Sequence, residues 1–149
     1  MDCLFCKIAK GELPCHKVYE DNEYLAFLDI FPNTDGMTLV IPKQHYASYA
    51  FKMDDDSYSK LLLCAKRVAS QLDKRLNVKR TAMVMEGLGV DHAHIKLYPI
   101  YGLEKEFEET WAKEKVFFDH YRGYISTQLG ERADDAKLAA IAKKLRGPV

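Results

Sequence analysis

Residues 87–99 read GLGVDHAHIKLYP, and between residues 91 and 98 polar and apolar side chains alternate. This alternation predicts a half-buried β-strand, because successive side chains of a strand point to opposite faces of the sheet. We expect three apolar side chains to face the core: Ala93, Ile95 and Leu97. The opposite face then carries three basic side chains: His92, His94 and Lys96. Two imidazoles and one ammonium in a single row indicate a functional site.

The residues that flank this row support the same interpretation. Gly87 and Gly89 permit a sharp turn or a close approach of the backbone to a ligand, and Pro99 is expected to end the strand because it has no N–H to donate. The alternative is a solvent-exposed strand that carries two histidines and a lysine by chance. The choice between the two depends on what the rest of the chain brings to this strand.

Length and charge limit the classes of protein to consider. A chain of 149 residues is long enough to bury a core, and we expect a single domain over residues 1–149. Its 22 basic and 22 acidic residues give no net charge, so no nucleic-acid partner is predicted. No run reaches the ~18 apolar residues of a membrane span, and the N-terminus lacks the apolar core of a signal peptide. We therefore expect a cytoplasmic protein with no membrane partner.

The first two cysteines, Cys3 and Cys6, form a Cys-x-x-Cys pair. In a chain without a secretion signal, such a pair is more often metal-binding or redox-active than a structural disulfide. A redox motif is expected between a strand and a helix, whereas this pair lies at the extreme N-terminus, so metal binding is favoured. Zinc requires four nitrogen or sulfur ligands in a tetrahedron. Cys15 and His16 are the nearest candidates for the two ligands still missing.

The remaining patterns predict an α+β fold with a mainly antiparallel sheet. Four further strands are predicted, the first two as a hairpin: residues 18–19, 24–29, 37–41 and 81–85. A long packing helix is expected from the capping residues 54–57 to about Leu76, and a C-terminal helix from Asp134 to Gly147. The charged segment around Trp111 predicts no element.

Three passages together resemble one family: CLFCKI at residues 3–8, FLDI at 27–30 followed by GMTLVIPKQH at 36–45, and HAH at 92–94. They look like the histidine triad (HIT) superfamily of nucleotidyl hydrolases and transferases. The match covers roughly residues 1–100, whereas residues 101–149 match nothing. The resemblance implies a HIT-like, five-stranded antiparallel sheet with helices, a homodimer in which two sheets join, and a pocket for a purine nucleotide.

The resemblance also implies a structural zinc ion. In zinc-binding members the ligands are the Cys-x-x-Cys pair, the histidine after Ile-Pro-Lys and the first histidine of the triad. Those positions are filled here by Cys3, Cys6, His45 and His92. Two thiolates and two imidazoles are a chemically coherent set for structural Zn²⁺.

The middle histidine of the triad is the family nucleophile, which makes His94 the residue expected to attack the α-phosphate and form a phospho-histidine. Asp29 corresponds to the carboxylate that receives the ribose hydroxyls. Five apolar positions correspond to the walls around the base, although ordinary core packing explains each of them equally well: Leu4, Phe5, Ile8, Phe27 and Ile30.

Several positions depart from the family pattern. Lys96 replaces the third histidine, Met37 and Met85 replace a histidine and a phosphate-binding asparagine, and Gly89 stands in the nucleotide-binding turn where a serine or threonine is common. We expect Lys96 to serve as a compact cation for a phosphate oxygen and to keep His94 neutral. Lysine is a poor proton relay at neutral pH, because its unperturbed pKa is about 10.4.

Three functions are compatible with these observations. The first is a nucleotidyl hydrolase or transferase that cleaves a phosphoric anhydride or phosphoramidate bond, with His94 and Lys96 as its catalytic residues. The second is a nucleotide-binding module of the same fold with little or no activity. The third is a zinc-held interaction domain without a ligand, which leaves His94 and Asp29 unexplained.

Overall fold

The computed structural model describes residues 3–109 and 132–147. Of the charged segment for which no element was predicted, residues 104–109 contain no helix or strand, and Trp111 lies outside the described residues. The strands are β1 Lys17–Glu20, β2 Tyr24–Leu28, β3 Thr38–Pro42, β4 Arg80–Val84 and β5 Ile95–Ile100. The α-helices are α1 Leu4–Ala9, α2 Asp55–Leu76 and α3 Asp135–Arg146, and Ala50–Lys52 forms a short 3₁₀ turn. The strands pair antiparallel in the order β1-β2-β3-β5-β4, which confirms the predicted α+β class and the five-stranded sheet.

Residues pack against both faces of the sheet, and β2 and β3 are buried throughout. In β2, Tyr24, Ala26 and Leu28 pack into the cluster formed with α2 and α3, whereas Leu25 and Phe27 pack into a second cluster with α1. Apolar residues on both faces explain why this strand reads as a continuous apolar run. Helix α1 was not predicted, because its six residues are too few for a helical period to be recognised in the sequence.

The two longer helices lie where the sequence predicted them. Helix α2 begins with the Asp54 carboxylate accepting a hydrogen bond from Ser57 N at 2.9 Å, and it ends at Asn77 in the left-handed region. Asp134 caps α3 in the same way, by accepting from Lys137 N at 3.0 Å. Helix α3 buries Leu138, Ala142 and Leu145, whereas Ile141 is only partly buried. None of the helices described is long and apolar enough to span a membrane.

The strand that carries the histidines was predicted over residues 91–98, whereas β5 begins later and ends later, at Ile95 and Ile100. Strand β5 begins only at Ile95, because Ala93 N donates to Tyr46 O at 2.8 Å, outside the sheet. Pro99 does not end the strand: it pairs with Thr81 of β4, and β5 continues to Ile100. Pairing with β3 reaches only as far as Leu97, so a missing N–H donor is tolerated beyond that residue. The predicted alternation is confirmed, since the three apolar side chains of this stretch lie in the α2 cluster.

Candidate functional site

A cavity of about 850 Å³ lies between α1, the sheet and the glycine turn before β5. Its volume falls in the range of small-molecule sites, roughly 300–1,000 Å³. All the residues predicted for a nucleotide pocket line it: Leu4, Phe5, Ile8, Phe27, Asp29, Ile30 and Gly89, together with His94 and Lys96. The structure therefore brings together residues that are up to 92 positions apart in the sequence.

Strand register explains why an apolar wall and a charged group meet in this cavity. Phe27 of β2 pairs with Leu39 of β3, and Leu39 pairs in turn with Lys96 of β5. Directly paired residues of antiparallel strands project from the same face of the sheet. Phe27, Leu39 and Lys96 thus form one row beneath α1, and the Phe5 ring of that helix forms a T-shaped pair with the Phe27 ring at a centroid distance of 5.7 Å.

The His94 imidazole is held so that one nitrogen is left for chemistry. Its Nδ1 lies 2.7 Å from the backbone oxygen of His92 and donates to it, which assigns the lone pair to Nε2. The side chain is only 2% exposed, and the Phe5 ring packs against it at 5.5 Å. Burial lowers the pKa of His94, and the positive charge of Lys96 lowers it further, against the opposing effect of the hydrogen bond to His92 O. His94 is therefore a neutral imidazole at neutral pH.

Glu86 is the residue of this cavity that sequence reasoning missed. Its carboxylate forms an ion pair with the Lys96 ammonium, and both side chains are mostly buried. Strand pairing ends at Val84 opposite Lys96, and Glu86 lies two residues further along the chain, where its negative charge opposes the lowering of the pKa of His94 by burial. An acidic residue two positions after the end of a strand and directly before the glycine turn was the available signal. Lys96 is thus not an isolated cation.

Asp29 and the methionine replacements occupy different environments. The buried Asp29 follows β2, and its Oδ1 accepts a hydrogen bond from Phe31 N at 2.8 Å. Met37 is 1% exposed and Met85 packs on the α2 cluster, and neither lines the large cavity. Besides Glu86, eight lining residues were not predicted for this pocket: Leu13, Pro14, Cys15, Leu28, Phe31, Leu39, Leu88 and Val90.

A cysteine–histidine cluster lies next to the cavity and contains the four predicted metal ligands: Cys3, Cys6, His45 and His92. Their ligand atoms all lie within 4.8 Å of one another. Nδ1 of His92 is 3.4 Å from Cys3 Sγ and 3.5 Å from Cys6 Sγ, and Nδ1 of His45 is also 3.5 Å from Cys6 Sγ. Usual zinc bond lengths in a tetrahedron give a sulfur–nitrogen edge of about 3.5 Å. The residues therefore fit a metal ion.

Cys15 and His16, the alternative source of ligands, lie outside this cluster, and His16 contacts Asp135 instead.

Neighbouring backbone groups orient the ligands of this cluster. His92 Nε2 donates to Pro42 O at 2.8 Å, which leaves the Nδ1 lone pair for a metal, as a second hydrogen bond commonly does for metal-binding histidines. The loops that carry His45 and His92 are joined where Ser48 N donates to the Asp91 carboxylate at 2.9 Å. Glycine is required at position 87 for the backbone to pass this close to Ser48. Gly87 has a φ of +69°, and a Cβ at this position would lie 2.5 Å from Ser48 O.

Comparison with known proteins identifies the same family as the resemblance noted in the sequence. The model of the HIT domain matches residues 10–100. The chain is 53% identical over 76 residues to a HIT-like protein of Borreliella burgdorferi, which covers 51% of this chain and about half, 53%, of that protein. It is 39% identical over 100 residues to the adenosine 5'-monophosphoramidase of Schizosaccharomyces pombe, covering 66% of this chain and 74% of that one.

Among solved structures, the zinc-bound histidine triad family protein of Mycobacterium smegmatis superposes with a TM-score of 0.67 at 25% identity. This superposition covers 98% of this chain and 91% of that protein. The sheet order, the cavity beneath α1 and the matching domain model thus lead to one conclusion: the chain belongs to the HIT family.

Proposed function

We propose that this protein binds a purine nucleotide in the large cavity and cleaves a bond at its α-phosphorus through His94. The observation that carries the proposal is the neutral His94 imidazole in a cavity of nucleotide size, with Nδ1 engaged by a carbonyl and Nε2 left as a nucleophile. The apolar walls suit a base, and the buried Asp29 carboxylate suits the ribose hydroxyls. The name of the fission yeast relative supports adenosine monophosphate conjugates as substrates.

The reaction proceeds in two displacements. His94 Nε2 attacks phosphorus and forms a nitrogen–phosphorus bond, while the bond to the leaving group breaks and its electron pair departs with that group. Water then attacks the phospho-histidine, which releases the nucleoside monophosphate and restores the imidazole. Lys96 is expected to lie against a phosphate oxygen as a cation, and the leaving group takes its proton from water.

We also propose that the metal of the cysteine–histidine cluster is a structural zinc ion. Four protein ligands leave no open coordination position, as is usual in structural rather than catalytic zinc sites. The site joins α1, which forms a wall of the cavity, to His92, whose carbonyl oxygen orients His94. A bound metal thus stabilises the position of the nucleophile without contacting the substrate.

The test of the proposed enzyme is release of adenosine monophosphate from adenosine 5'-phosphoramidate. We expect the purified protein to release it, and chromatography of the products measures the rate. Calorimetry with adenosine monophosphate separates the alternatives. Binding without any release favours the nucleotide-binding module, whereas neither binding nor release contradicts the proposed function.

We further propose a homodimer, on the basis of family membership. Strand β4 lies at one edge of the sheet among the described residues, and its Met83 is 51% exposed. Light scattering at micromolar concentration is expected to give about twice the chain mass of 17.1 kDa. A mass equal to that of one chain contradicts this proposal.

A further inference from the structure

The charge balance of the cavity is unusual for a site that takes an anionic ligand. Among the residues described, three formally charged side chains line it: Asp29, Glu86 and Lys96. Two carboxylates thus share the cavity with a single ammonium. Asp29 and Lys96 are only 7% and 8% exposed, so water screens these charges weakly. The polar end of the cavity therefore carries a net negative charge.

The two charges nearest to each other also lie beside the reacting group. Lys96 is two residues after His94, and Glu86, His94 and Lys96 all line this cavity. The Lys96 ammonium contacts the Glu86 carboxylate, so much of its attraction for an anion is already offset. Lys96 balances one negative charge on the α-phosphate. A second negative charge on the ligand is repelled by Glu86, and no further cation among the described lining residues offsets that repulsion.

We propose that Glu86 sets the leaving-group selectivity of this site. It disfavours substrates whose leaving group is anionic and favours those whose leaving group is an uncharged or cationic amine. The proposal rests on the proposed function, because it concerns the same cavity and the same attack by His94. It assigns the substrate class as nucleotides whose leaving group adds no negative charge, rather than polyphosphates or sulfates.

The test uses three adenosine 5'-phosphoramidates that differ in the charge of the amine: propylamine, glycine and ethylenediamine. Within the conjugates the amine portions are uncharged, anionic and cationic at neutral pH, and the same type of phosphorus–nitrogen bond breaks in each. The values of kcat/KM are compared for the wild type and for Glu86→Gln, which removes the charge but keeps the shape of the side chain. Glu23→Gln, at the exposed β1–β2 turn, is the matched control.

We expect Glu86→Gln to raise the ratio of kcat/KM for the glycine conjugate to that for the propylamine conjugate by at least about tenfold, because it removes a weakly screened repulsion. The ratio for the ethylenediamine conjugate relative to the propylamine conjugate should fall. Lys96→Gln should lower the glycine ratio instead. Ratios that change no more in Glu86→Gln than in Glu23→Gln overturn the proposal.

A binding measurement keeps this test independent of turnover and of one variant. The affinity for adenosine monophosphate relative to uncharged adenosine should rise at least about tenfold in Glu86→Gln and fall in Lys96→Gln. An unchanged affinity ratio in both variants also overturns the proposal. If the wild type binds neither compound and cleaves no conjugate, the proposed function itself is wrong. If the wild type cleaves the conjugates but the ratios are unchanged in the variants, only the selectivity assigned to Glu86 is wrong.

Discussion

Replacing His94 with alanine is expected to lower kcat for release of adenosine monophosphate by at least about 10³-fold, because the variant has no nitrogen to form the phospho-histidine. Affinity for adenosine monophosphate should stay within about tenfold of the wild type, since the lost interaction belongs to the transition state. Single-turnover kinetics and calorimetry measure the two quantities. In the wild type, rapid quenching with a substrate labelled at phosphorus should trap labelled protein.

His16→Ala is the matched control for this variant. His16 lies outside the cavity and contacts Asp135, so its loss should leave kcat within about twofold of the wild type. A His94→Ala variant that retains the wild-type rate contradicts the mechanism. Normal binding without labelled protein or turnover in the wild type favours the binding module.

Removal of the metal is expected to have the largest effect on stability. We expect one zinc ion per chain in protein purified without chelators, and we expect Cys6→Ser to lose it. Because structural zinc contributes folding free energy directly, that loss should cost at least about 3 kcal/mol. At about 2–4 °C per kcal/mol for a chain of this size, the melting temperature should fall by at least about 6 °C.

Elemental analysis and thermal melting with and without a chelator check this prediction. Cys15→Ser is the matched control, because Cys15 is half-buried but lies outside the metal cluster. It should keep its zinc, and chelation should lower its melting temperature as it does for the wild type. Absence of zinc together with an unchanged melting curve after chelation contradicts the structural role.

Local patterns were sufficient for much of the fold. A capping aspartate followed by apolar residues at helical spacing placed α2 and α3, since both signals act within a few residues of each other. Period-two alternation likewise assigned Ala93, Ile95 and Leu97 to the core. The start of β5 was not predictable in this way, because it depends on the bond from Ala93 N to Tyr46 O, a contact between distant segments.

The sequence by itself determined the fold class and the residue types available for chemistry. Resemblance to a family then assigned Cys3, Cys6, His45 and His92 to one metal cluster, and the structure places them together. Only the tertiary structure decided the charge state around the nucleophile. The position of Glu86 directly before the glycine turn was the signal available in the sequence, but its contact with Lys96 depends on strand pairing, which sets Val84 opposite Lys96. Strand pairing joins segments that are distant in the sequence, so a periodic pattern within one segment does not identify the residue opposite each position.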